Sequence, residues 1–190
     1  MKKLVFLVLA LLMFSCHREN DSEQPELQQI DLFLEGAFAK CPTGGVVLVA
    51  RQGKSIFTKA YGIADLELDV PMTIDHVLAI GSITKQFTAV MILKLVEAGQ
   101  LALDDDVRQY VPELETHGRT ISIAQVLTHT SGLFNFVDLP NFQGISLQHL
   151  TPLEILKLTK DKPLTFEPGT KYAYSDSGYI LLGLIIERVS

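Results

Sequence analysis

The sequence predicts an α+β chain: an antiparallel sheet flanked by helices, joined to a mostly helical subdomain. Two patterns carry this. Residues 46–50 and 55–61 are strand-like runs on either side of Arg51-Gln52-Gly53-Lys54, the layout of a β-hairpin. Beyond Ile80 the runs lengthen and take helical spacing. The clearest, residues 83–98, holds no Gly or Pro and stops at Gly99.

The first residues read as a leader. Met1-Lys2-Lys3 precedes an unbroken apolar run over residues 4–14, followed by Ser15-Cys16. A positive start, an apolar stretch too short to span a bilayer and a small residue before a cysteine make a secretory signal over residues 1–15. The cysteine at the cleavage point resembles a bacterial lipoprotein signal, in which Cys16 is lipidated and becomes the mature N-terminus. An ordinary secreted protein is the alternative. The expectation is an exported protein of the bacterial cell envelope or periplasm, membrane-anchored through Cys16. Residues 16–25 are polar and charged and read as a tether, which leaves residues 26–190 as a single folded portion.

Composition excludes several roles. The formal net charge is −6, and it becomes more negative once the two leader lysines are set aside. That balance argues against nucleic acid as a partner and against polybasic membrane binding. There are two cysteines, Cys16 and Cys41, so lipidation of the first leaves no internal disulfide. The five histidines are scattered without short-spaced pairs, so no metal site and no cofactor are expected.

In chain order, residues 27–40 place Ile30, Leu34 and Phe38 at helical spacing, and Pro42-Thr43-Gly44-Gly45 breaks that helix. The first hairpin arm is apolar throughout and is expected to be buried on both faces. Two strands alone are marginal, so more strands are needed. Residues 65–75 read as a loop, and 77–80 as a short apolar segment delivering Ser82. Asp104, Asp105 and Asp106 open a short helix ending near Val111-Pro112 and read as caps. Residues 121–133 are a short helix running into a Gly turn, residues 134–150 an irregular loop. Thr151-Pro152-Leu153-Glu154 starts another helix, with Pro at its first position and a capping-box pattern. Pro168-Gly169 turns the chain, and residues 179–189 form an apolar helix.

The chemistry centres on Ser82 and Lys85, three residues apart at a helix start and so on one face. Lys94 and Glu97 mark the opposite, wet side, whereas Lys85 lies among Ala89, Ile92 and Val96. A lysine on a buried stripe needs a partner or a lowered pKa, and a neutral amine there could take the Ser82 proton. Against this, Ser-x-x-Lys arises by chance and Ser is a common helix cap. His129 could be a general base, but a His between two threonines at a helix end is more often structural.

Three blocks in order then carry a resemblance: Gly81-Ser82-Ile83-Thr84-Lys85-Gln86-Phe87-Thr88-Ala89, Val126-Leu127-Thr128-His129-Thr130-Ser131-Gly132-Leu133, and Pro168-Gly169 followed by Tyr174-Ser175-Asp176 and Gly178-Tyr179. Together they resemble the serine β-lactamase and penicillin-binding-protein superfamily, on the class C β-lactamase, DD-peptidase and esterase branch. The resemblance implies a β-lactamase/transpeptidase-like fold with Ser82 as acyl-accepting nucleophile and Lys85 as the neighbour that activates it. It also makes Tyr174 a candidate general base, provided that positive neighbours lower its phenol, and the Ser82 N–H one oxyanion donor.

Two departures stand out. Asp176 occupies the substrate-binding position where the family has asparagine, which replaces an amide with an acceptor-only carboxylate able to compensate Lys85. A competing alignment sets Ser175-Asp176-Ser177 against the Ser-Asp-Asn element of other branches, although the flanking Tyr174 and Gly178-Tyr179 favour the first. The family's Lys-Thr-Gly or His-x-Gly strand is not found in residues 1–190. The sequence therefore reads as an N-terminal portion with its C-terminal strands missing, a hairpin edge left open, and a fragment inactive as it stands. Three functions remain open: a serine hydrolase of amide, ester or β-lactam carbonyls acting on small molecules or peptidoglycan peptides, a penicillin-binding sensor that is acylated without turnover, and a remnant without function.

Overall fold

The computed structural model describes residues 23–41 and 43–190. The signal over residues 1–15, the lipidation position Cys16 and the first part of the tether lie outside them. The chain divides into two compact units, the first ending at Ala79 and the second running from Ile80 to Ser190.

In the first unit, α1 (Glu23–Phe38) begins within the stretch read as tether and is followed by β1 (Gly45–Arg51) and β2 (Lys54–Tyr61). The strands pair antiparallel, with Val47 opposite Lys59 and a register slip between Val49 and Ala50. Gln52 and Gly53, at φ +51° and +75°, make a two-residue turn whose twist suits a hairpin. Lys59 ties the sheet to α1, donating to both Asp31 oxygens at 2.6 and 2.8 Å and to Glu35 at 2.9 Å. Tyr61 donates to Asp31 at 2.8 Å and stacks on Phe38 with centroids 5.1 Å apart. Burial and then the Asp31 carboxylate push the Tyr61 phenol up to about 12.

Expected burial of β1 on both faces is not what the fold shows: Leu48 is 61% exposed. Among the described residues the β1–β2 sheet has two strands, with α1 covering one face and the other left open. Residues 65–75, read as a loop, hold β4 (Val70–Pro71), which pairs with β3 (Ile63–Asp65) in a small second ladder.

The second unit is helical. A 3-10 turn (Gly81–Ile83) leads into α2 (Thr84–Glu97), which stops at Gly99 in the left-handed conformation, φ +69°. A second 3-10 turn (Val107–Gln109) stands in place of the expected short helix. Asp106 caps it, and Asp105 accepts from Ala102 N–H at 2.6 Å and from the Tyr110 hydroxyl at 2.6 Å. There follow α3 (Ile123–Leu127), a 3-10 turn (Phe136–Asp138), α4 (Phe142–Ser146), α5 (Pro152–Lys157) and α6 (Asp176–Val189). Both α3 and α5 open with complete capping boxes, Ser122 with Gln125 and Thr151 with Glu154.

Helix α6 is the hub. Leu181, Leu182 and Ile185 are fully buried against Ile92 and Leu95 of α2, Ile123 and Val126 of α3 and Leu156 of α5. At about 1.5–3 kcal/mol for each buried aliphatic side chain, this packing fixes α2 and α6 side by side. Their N-termini carry the residues that matter for chemistry.

Candidate active site

Ser82 is presented by backbone geometry. Gly81, immediately before it, sits at φ +53°, a conformation that favours glycine, and the 3-10 turn places Ser82 ahead of α2. Neither this turn nor α2 has a side-chain cap, so the Ser82 hydroxyl is not engaged as one. It meets two other groups instead. Lys85 Nζ donates to Ser82 Oγ at 3.3 Å, and Tyr174 Oη donates to it at 2.9 Å.

Lys85 and Asp176 form an ion pair at 2.6 Å, with side chains 17% and 29% exposed. Burial pulls the Lys85 ammonium down, but hydrogen bonds to Asp176 and Tyr174 outweigh it and hold the amine above the usual lysine value. Of the two outcomes the sequence left open, a partner or a lowered pKa, the fold supplies the partner. A neutral lysine as acceptor of the Ser82 proton is not the arrangement found. Tyr174 moves the other way: the hydrogen bond with Lys85, then that with Ser82, lowers its phenol below 10. Lys85 Nζ also stands 4.7 Å from the Tyr174 ring centroid and 5.7 Å from that of Tyr179.

The segment bearing Tyr174 and Asp176 is clamped from two sides. His129 Nδ1 accepts the Ser175 N–H at 3.1 Å, and its carbonyl accepts the Ala173 N–H at 2.9 Å. Its ring lies between Tyr174 and Tyr179, with centroids 4.7 and 5.0 Å away. An Nδ1 that accepts carries no proton, so the imidazole is neutral with its hydrogen on Nε2. Burial, followed by the Lys85 charge, lowers its pKa below 6.5. This is the structural histidine favoured over a general base.

The second clamp is Asn135, which sequence reasoning did not single out. Its Oδ1 accepts the N–H groups of Asp176 at 2.9 Å and Ser177 at 3.2 Å, while Nδ2 reaches Asp176 Oδ2 at 3.5 Å. Ser175 caps α6 through the Gly178 N–H at 3.0 Å, and the buried Ser177 hydroxyl accepts from Phe136 N–H at 2.9 Å. No motif marked Asn135. It lies in the stretch read as an irregular loop, and accepting two backbone hydrogens is a task open to any loop asparagine.

Ser82, Lys85 and Asp176 line one wall of an open groove of about 450 Å³, with Phe136, Val137 and Ile180 supplying apolar surface. The four site residues proposed for this part of the chain thus meet in one place, while Cys16 lies outside the described residues. Among the described residues no three His, Cys, Asp or Glu side chains converge in a way that could hold a metal ion. The arrangement presents a hydroxyl, a phenol whose pKa its neighbours lower and a cation fixed beside both, the elements of nucleophilic attack on a carbonyl.

Known proteins place the chain. It is 33% identical over 176 residues to Protein flp of Staphylococcus aureus (strain MRSA252), covering 90% of this chain and 34% of that protein. It is 34% identical over 161 residues to Esterase EstB of Burkholderia gladioli, covering 77% of this chain and 41% of the esterase. Among solved structures, the octameric penicillin-binding protein homologue from Pyrococcus abyssi superposes with a TM-score of 0.71 at 34% identity, over 87% of this chain and 39% of the other. The chain therefore spans well under half the length of these relatives. The beta-lactamase family model matches residues 34–190, the stretch that contains all three sequence blocks, and the chain belongs to that family.

Proposed function

We propose that this site is that of a serine hydrolase working through an acyl-enzyme on Ser82. Tyr174 takes the Ser82 proton as Oγ bonds to the carbonyl carbon, and that proton passes to the departing amine or alcohol as the bond to the leaving group breaks. Lys85 remains protonated and stabilises the phenolate form of Tyr174. The Ser82 N–H, at the first turn of a helix, donates to the developing oxyanion. Water then releases the acyl group. The observation that carries this reading is the convergence of Tyr174 Oη and Lys85 Nζ on Ser82 Oγ, at 2.9 and 3.3 Å. Family membership supports it, since the relatives include an esterase. The substrate class is amide, ester or β-lactam carbonyls in small molecules or peptidoglycan peptides. The leader and Cys16 support a location in the cell envelope, held by a lipid anchor.

Intact-mass analysis of the purified protein with a fluorophosphonate or penicillin probe tests the reading. The expected adduct maps to Ser82, vanishes in Ser82→Ala and forms about 10²–10⁴-fold more slowly in Tyr174→Phe. A folded chain that acquires no adduct would overturn it. The same experiment decides the expectation that residues 1–190 are inactive, because a Ser82 adduct would refute it. A penicillin adduct that forms quickly but is not released would indicate the sensor function.

A further inference from the structure

We propose that Asp176 makes this site selective for acyl groups bearing a cationic amine next to the carbonyl, with an apolar side chain beside it, and unfavourable to acyl groups bearing an anion there. This rests on the acyl-enzyme reading of Ser82 and adds to it the charge of the substrate.

Lys85 and Asp176 are the two charged side chains in the groove wall, and they are paired with each other. The cation is therefore not available to hold a substrate carboxylate. The carboxylate is only half used. Oδ1 accepts from Lys85 at 2.6 Å, whereas among the described residues Oδ2 has a single contact, the Asn135 amide at 3.5 Å. That amide is held by its other end, because Asn135 Oδ1 accepts the backbone N–H groups of Asp176 and Ser177. Oδ2 is thus an acceptor with one long partner, on a residue that lines the groove, and a carboxylate has room for several donors.

Position fixes where the donor must sit. The Lys85 ammonium touches both Ser82 Oγ and Asp176 Oδ1, so the carboxylate lies one side-chain nitrogen away from the nucleophile. A substituent on the carbon adjoining the acyl carbonyl falls within that reach. Phe136, Val137 and Ile180 offer an apolar face for the rest of the acyl group. An amide side chain at position 176 would accept from one substrate dipole and donate to another; a carboxylate accepts only. An α-ammonium satisfies it, while a carbonyl or carboxylate presented there is repelled.

The test is binding, read by calorimetric titration of the Ser82→Ala protein so that no turnover intervenes. The ligands are phenylalanine amide, which carries the amine, and 3-phenylpropanamide, which lacks it. At pH 6.5 the amine-bearing ligand should bind about tenfold more tightly. The preference should collapse at pH 9.5, where an α-amine of ordinary pKa near 8 has lost its charge. It should also collapse in Ser82→Ala/Asp176→Asn at pH 6.5, and the pH comparison needs no second variant to fold. Equal affinities at pH 6.5, tighter binding of 3-phenylpropanamide, or no binding of either ligand would overturn the proposal. Ser82 labelling, measured separately, tells the two readings apart. Charge preference without labelling sustains the selectivity and removes the acyl-enzyme, whereas labelling without preference does the reverse.

Discussion

Lys85 and Tyr174 divide a task that the sequence offered to either of them. In the proposed mechanism Lys85, held above the usual lysine value by Asp176 and Tyr174, keeps its proton, and Tyr174, whose phenol is lowered by its hydrogen bonds with Lys85 and Ser82, accepts one. Ser82 labelling should therefore rise with pH and level off below 10, and Tyr174→Phe should remove the rise. Asp176 opposes the lowering of Tyr174, so Asp176→Asn should move the rising limb to lower pH. A limb that stays in place, measured as labelling rate from pH 6 to 10, would contradict the coupling. His129 carries a second pH effect, on stability. Its pKa is depressed on folding, so the unfolded chain binds more protons as the pH falls below about 6.5 and native stability drops from there down toward the folded value. Urea midpoints should fall between pH 7.5 and 5.5 in the wild type and fall less in His129→Asn, which offers an uncharged acceptor in place of Nδ1.

Helices with a sustained period and a cap were legible at the level of elements. Helix α2 with its Gly99 stop, α5 with its capping box and the hairpin turn all follow from side-chain spacing and turn chemistry. The pieces missed are those of two to five residues: β3, β4, α4 and the 3-10 turn at Phe136–Asp138. Segments that short complete no period, and their place is set by what they pack on. Gly132 illustrates a local constraint of the same kind. It lies at φ +74°, and a Cβ there would come 2.2 Å from the Phe166 carbonyl oxygen. Gly132→Ala should destabilise the protein by more than about 2 kcal/mol, combining left-handed strain with forced backbone movement. Ser122→Ala, which removes the cap of α3, should cost about 1 kcal/mol. Thermal or urea unfolding measures both, and a near-neutral Gly132→Ala would mean that this turn can relax.

The second unit as a whole is organised so that burial and chemistry share two helices. Ile185 is 0% exposed and stands in the same core as Ile92 and Leu95 of α2. Ile185→Ala should cost about 2–5 kcal/mol in unfolding free energy while leaving the pH profile of Ser82 labelling unchanged. The motifs named Ser82, Lys85, Tyr174 and Asp176 because each block has a recognisable residue pattern. They could not show that Asn135 and His129 hold the last two in place, since that depends on how distant loops meet. Ser82 and Tyr174 are 92 residues apart in the chain, as Lys85 and Asp176 are 91 apart. Contacts of that span form only when α6 docks on α2, so the cost of closing the long intervening loop falls on that step. On the proposed mechanism, an unfolded chain carries an ordinary serine, and the reactivity of Ser82 comes with the fold. In a refolding time course, probe labelling should appear together with burial of the helical core and not before it, so the nascent polypeptide should stay chemically harmless until α6 has packed.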